Sequence, residues 1–198
     1  MGKIKYIENI EKFIQKTPVF DISSLKKFIL IKKGNRKYIY LLVNKLLKKG
    51  KIKRLTKGYY TIYEEPSLAV LSFKPAYLGL QDALSFHNLW EQETIPIIIT
   101  TKKIKVGIRK FLNTNILLRR INKKYFFGFD YYKQNNFYLP YSDIEKTLID
   151  LIYFKEKLSL EEMANIKNKI NFKKLNSYLK IYPKKFREKI MRKLDIKF

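Results

Sequence analysis

Residues 34–62 read GNRKYIYLLVNKLLKKGKIKRLTKGYYTI, and this stretch decides the fold. Ile39, Leu42, Val43, Leu46 and Leu47 recur at three- and four-residue spacing, which predicts a helix over 35–49 with one buried face. Arg36, Lys37, Tyr40, Asn44 and Lys48 fall on the opposite face. Asn35 is placed to cap the first turn by accepting a backbone N–H, and Gly50 stands where a left-handed residue ends a helix. Beyond it, KIKRL and YYTI alternate basic with apolar residues around Thr56-Lys57-Gly58, the pattern of a short hairpin over 51–62.

Upstream, Ile4, Ile7, Ile10, Phe13 and Ile14 make an apolar stripe through 3–16 that Thr17-Pro18 ends. A short helix is predicted over 24–31 with Ser23 as its cap, followed by the turn Lys32-Lys33-Gly34. Helix, short helix, Gly-containing turn, long helix and hairpin are the order of a winged helix-turn-helix, in which the helix after the turn enters the major groove. The fold class expected is α+β, with this module over 1–65. A mixed α/β region with a helical tail is expected over 66–198, the boundary falling at Glu64-Glu65-Pro66.

Charge points to a polyanionic partner. The 198 residues carry 43 Lys and Arg against 17 Asp and Glu, a formal net charge of +26. Between Lys12 and Tyr63 the only acid is Asp21, against 15 basic residues. Residues 1–65 hold net +12 and residues 66–198 net +14 over twice the length, so charge density belongs mainly to the N-terminal module. Surfaces normally mix both signs. Phosphates explain a one-sided run, because each one neutralised releases a counterion. Residues 66–198 are still basic, which makes RNA a second candidate partner for that region.

Other classes are narrowed by composition. Cysteine is absent, which excludes disulfides, thiolate metal sites and Cys catalysis, and the single histidine leaves no His cluster. No apolar run approaches the roughly 18 residues of a spanning helix, and no signal-peptide core opens the chain, so a cytoplasmic protein without membrane association is expected. A peripheral lipid binder would need bulky apolar residues exposed opposite its lysines, whereas these apolar faces read as core. No Gly-Ser turn with paired carboxylates is present, as a nucleotidyltransferase requires. For a nuclease, only Asp143, Glu145 and Asp150 come close. No cofactor, no metal and no catalytic residue is therefore expected.

In the second region a short helix from Pro66 to about Phe73 precedes a turn at Lys74-Pro75. A helix is predicted over 80–89, with His87 read as a partly buried, hydrogen-bonded residue. Strands are expected over 95–101, 116–121 and 125–129, Gly128 marking a kink or a close backbone approach. Ser142 and Glu145 read as the capping box of a helix over 142–154. Three helical stretches near 159–169, 172–180 and 183–194 end the chain, the latter two started by Asn171 and Pro183.

Four segments together resemble the AbiEi family, the antitoxin and transcriptional-regulator partners of bacterial and archaeal type IV toxin–antitoxin operons. They are KGKIKRLTKGYYTI at 49–62, YLGLQDALSFHNL at 77–89, IIITT at 97–101 and PYSDIEKTLIDLIYF at 140–154, and their order carries the likeness. Family members also show the intervening LLRRINKKYFFGF, 117–129, as paired strands. The resemblance covers about three quarters of the chain. It implies a DNA-binding N-terminal module that represses its own operon at promoter repeats. It also implies a C-terminal domain that counteracts a nucleotidyltransferase-like toxin without a tight toxin complex.

Candidate DNA contacts follow from the module. Arg36, Lys37, Tyr40 and Asn44 lie early on the groove helix, where Arg can read guanine and Asn adenine. Asn35 and Lys48 extend that face, and Lys32 and Lys33 suit phosphates, which position without specifying. Lys53, Arg54 and Lys57 on the hairpin can reach flanking backbone or the minor groove. Tyr59 and Tyr60 are expected to pack the hairpin onto the helices.

Overall fold

The structure, a computed structural model, describes residues 10–29, 36–134 and 137–195. It is a mixed α+β protein with two sheets. The first helix, α1, occupies 10–16 among the described residues, and β1 (Phe20–Asp21) runs straight into α2 (Ile22–Ile29). Helix α3 (Arg36–Lys48) is followed by β2 (Lys53–Thr56) and β3 (Tyr59–Thr61), and the three strands pair antiparallel in the order β1-β3-β2. Ile10 and Ile14 of α1, Leu25 of α2, Ile39, Leu42, Val43 and Leu46 of α3, and Phe20, Ile52 and Tyr60 close one apolar core. The helical spacing read from α3 is therefore the spacing that packs.

Ser23 does not cap α2. Asp21 does, its carboxylate accepting from the Ser24 amide at 2.6 Å, while the Asp21 amide donates to the Ser24 hydroxyl oxygen at 3.0 Å. The helix begins earlier than its apolar pattern because β1 hands over to it without a loop, so the cap falls on the last strand residue. Leu30 and Ile31, the last two residues of the predicted helix, lie outside the described residues, as does 3–9 of the first stripe.

The second sheet has six strands in the order β6-β7-β5-β4-β9-β8. These are β4 (Ala76–Leu78), β5 (Ile97–Thr100), β6 (Gly107–Phe111), β7 (Thr114–Arg120), β8 (Phe129–Gln134) and β9 (Phe137–Ser142). The central strands are buried on both faces, which is why IPIII reads as continuous apolar sequence. Tyr77, Ile97 and Ile99 face the helices α5 (Ile144–Tyr153), α6 (Leu160–Lys169), α7 (Phe172–Leu179) and α8 (Lys184–Lys193). Their strand neighbours Ala76, Leu78 and Ile98 face the other way, onto the 3-10 helix Pro66–Ser72. Leu55 of β2 lies in that second core, and Tyr63 meets Phe137 edge-on at 4.6 Å, so apolar packing crosses the Glu64–Pro66 turn.

Three readings of this region are corrected. Of residues 125–129 only Phe129 is in a strand, as the first residue of β8: Lys123–Tyr125 is a 3-10 turn, Phe126 packs against Tyr77 of β4 and Phe127 against Tyr178 of α7. Nor are 117–129 paired strands, since β7 pairs with β5 and β6 while β8 pairs with β9 at the far side of the sheet. The helix expected over 80–89 is the shorter α4 (Gln81–Phe86), because Leu80 takes a positive φ of 58° and His87 and Asn88 turn away. Gly128 does make a close approach: a Cβ there would lie 2.8 Å from Lys146 Cβ, and its φ is 72°.

Candidate nucleic-acid interface

Helix α3 presents a polar face because its other face is spent. With Ile39, Leu42, Val43 and Leu46 turned inward, Tyr40, Leu41, Asn44, Lys45 and Lys48 are exposed. The helix stops at Gly50, whose φ of 67° suits glycine, and the Gly50 and Lys51 amides donate to Leu47 and Leu46 carbonyls at 3.0 Å each. That stop turns the chain directly into the hairpin. The hairpin tip is Lys57-Gly58, with Gly58 at φ 84°, and Arg54 and Lys57 are exposed beside it. Tyr60 packs into the core of helices α1–α3 as expected, whereas Tyr59 packs against the second core, that of the 3-10 helix and the larger sheet.

The few acids of this region are already occupied. Asp21 is used by the α2 cap; partial burial pushes its carboxyl up, but hydrogen bonds from Ser24 and the local backbone outweigh this and hold it below the usual range. Glu11 pairs with Lys51 at 2.5 Å, and Glu64 pairs with Lys53. Exposed pairs of this kind contribute little stability, about 0–1 kcal/mol, but they do neutralise charge. Lys53 is thus compensated within the protein. Lys45, Lys48, Arg54 and Lys57 have no carboxylate partner among the described residues and leave a net positive face.

Of the other expected contacts, Lys32, Lys33 and Asn35 lie outside the described residues. Arg36 and Lys37 open α3, and their side chains lie outside them too. Tyr40, Asn44 and Lys48 share one exposed helix face, and Arg54 and Lys57 share the hairpin. Leu41, 67% exposed in the same α3 strip, was not among the sequence candidates. Its signal was legible all the same: it is the leucine that falls off the 39-42-43-46 stripe.

The acids of the second region are arranged structurally. Ser142 is the last residue of β9, and its buried hydroxyl hydrogen-bonds with Thr147 at 2.7 Å, so it cannot cap α5. Asp143 caps instead, accepting the Lys146 amide at 2.7 Å. Its second oxygen accepts from Tyr178 at 2.8 Å and faces Lys174 at 3.0 Å. Glu145, one position short of a capping box, accepts the Asn171 amide at 2.8 Å and so anchors the start of α7. Asp150 is wholly buried with Lys146. His87 is half-buried, its Nε2 2.8 Å from the Ser142 carbonyl oxygen. No cluster of three His, Asp or Glu able to hold a metal occurs among the described residues, and none of their helices is long and apolar enough to cross a membrane.

No protein-family model matches the sequence, and no curated protein matches it either. The fold does have a likeness among solved structures. The crystal structure of the RV2827C protein from Mycobacterium tuberculosis superposes with a TM-score of 0.63 over 96% of this chain and 76% of that one. At 11% identity the likeness is one of fold alone.

Proposed function

We propose that the N-terminal elements form a winged helix-turn-helix and that the protein is a sequence-specific double-stranded DNA-binding repressor. Helix α3 enters the major groove, the hairpin β2–β3 follows adjacent backbone, and occupancy blocks polymerase at the promoter of the protein's own operon. One observation carries this reading: an exposed α3 face of Tyr40, Asn44, Lys45 and Lys48 without a carboxylate partner, backed by a fully packed opposite face. Rigid presentation of such a face is what groove readout needs. The carboxylates Asp143, Glu145 and Asp150 are each tied to a lysine, a tyrosine or a backbone amide, which favours binding over catalysis.

The AbiEi resemblance extends the proposal to an antitoxin. On that reading, residues 66–198 counteract a nucleotidyltransferase-like toxin encoded beside this gene. The deciding experiment is binding of the full chain to its own upstream DNA and to scrambled DNA of equal length across a salt series. Preference for the upstream fragment persisting near physiological salt is the expected result. Equal and steeply salt-dependent binding to both would reduce the charge to a non-specific footprint and end the repressor reading.

A further inference from the structure

We propose that Leu41 is a specificity residue that receives the C5-methyl group of a thymine in the major groove. The proposal rests on the DNA-binding reading above and adds to it the chemistry of one base. A single exposed leucine is ordinary on a protein surface; the position of Leu41 is what matters. It stands three residues before Asn44, four before Lys45 and seven before Lys48, so these side chains form one strip on α3. Leu41 is 67% exposed within it, and the packed residues Ile39, Leu42, Val43 and Leu46 occupy the other side. An exposed apolar side chain thus stands at the head of a cationic, hydrogen-bonding strip.

The major groove offers one apolar group, the thymine methyl, flanked by phosphates that suit lysines. Asn44, one turn along, matches the N6 and N7 edge of adenine, so the strip fits a step containing an A·T pair. A second copy of this chain fits worse, because pairing the same faces would bring together two strips that each carry Lys45 and Lys48 and no acid.

The test uses the full chain and its own upstream DNA, with each thymine replaced singly by deoxyuridine, which deletes only the methyl. At one position the wild type should lose about fourfold in affinity, the equivalent of ~0.8 kcal/mol for one buried methyl-sized group. Leu41→Ala should bind the unmodified DNA more weakly by a similar factor and lose nothing further at that position. If upstream preference stands but every replacement is neutral, the Leu41 assignment fails and the DNA reading survives. Continued sensitivity of Leu41→Ala to the same replacement would give the methyl to another residue. A solution dimer that dissociates on Leu41→Ala would assign the side chain to a contact between copies. Absence of any upstream preference removes both proposals together.

Discussion

The phenol of Tyr77 donates to Oδ2 of Asp150 at 2.7 Å, joining β4 to α5 across the interior of the larger sheet. The other carboxylate oxygen is held by Lys146, whose Nζ also reaches the Tyr182 hydroxyl at 3.2 Å and lies 5.0 Å from the centre of the Phe127 ring. Both charged side chains are fully buried. Burial lowers the Lys146 pKa while Asp150 opposes it; burial raises that of Asp150 while Lys146 and Tyr77 oppose it. An ion pair so enclosed stabilises little against a hydrophobic isostere, yet breaking it strands a charge.

Asp150→Ala alone should therefore cost about 3–5 kcal/mol in urea unfolding. Tyr77→Phe, which removes one donor to the carboxylate, should cost about 1.5–3 kcal/mol. Lys146→Met combined with Asp150→Leu should recover most of the single-mutant loss. Additive losses in that double variant would show that shape, rather than charge, governs the site.

Asp82 predicts a pH dependence. Burial pushes its carboxyl up to about 7, with the Ile97 amide at 3.1 Å working against this and Glu65 adding to it. The unfolded side chain ionises near about 4. The folded state thus holds the extra proton between these values, and the contribution to stability is full below about pH 4 and lost as pH rises through 7. Asp82→Asn should flatten the fall of the urea midpoint between pH 5 and pH 8 relative to wild type. Parallel profiles for the two proteins would remove Asp82 as the cause.

Gly128→Ala tests the close approach over Lys146. The substitution meets both an unfavourable φ of 72° and Lys146 Cβ at 2.8 Å, so a loss of at least ~1 kcal/mol is expected. Gly58→Ala at the hairpin tip, where φ is 84° but nothing lies within 4 Å, should cost less. Equal costs would reduce both to backbone conformation.

On DNA, Lys57→Ala should weaken all sequences alike and reduce the salt slope by about one. Lys53→Ala should change it less, because Glu64 already compensates that ammonium. Arg36→Ala should relax preference at one base pair, with an expected cost of about 1–3 kcal/mol. A salt slope unchanged by Lys57→Ala would take the hairpin off the DNA.

What could be read from the sequence was what local spacing controls. The buried face of α3, the glycine that ends it, and the helix starts at Asn171 and Pro183 all depend on neighbours within a few residues. The failures share a different cause. Ser142 lost its capping role because it belongs to β9 and bonds Thr147 in the interior, and Glu145 because it reaches 26 residues on to Asn171. Phe126 and Phe127 belong to an aromatic run that reads like a strand, yet Phe126 packs on Tyr77 and Phe127 on Tyr178 of the tail, and neither pairs. Four strands of the larger sheet, β4, β6, β8 and β9, were missed; β4 and β9 lie inside the sheet, and the cause at β6 and β8 is their place at its edges. There, exposed Ile108, Lys110 and Tyr131 leave no apolar alternation. At the candidate interface, the polar stripe of α3 was legible, and so was Leu41, the leucine that falls off the 39-42-43-46 stripe; it was passed over because leucine in an amphipathic helix is ordinarily core.

Leu55 sets a limit on how this protein could be cut or recombined. It belongs by sequence to the hairpin, but it lies in the core cluster that also holds Leu68, Val70, Phe137 and Tyr141, contributed by chain well past Pro66. A fragment ending at residue 65 would carry an uncovered leucine on the back of β2 and lose the Tyr63–Phe137 contact as well. Grafting the N-terminal elements onto a foreign partner would therefore require a replacement surface for Leu55 and Tyr63. The hairpin and the larger sheet therefore share one piece of core, and neither is closed without the other.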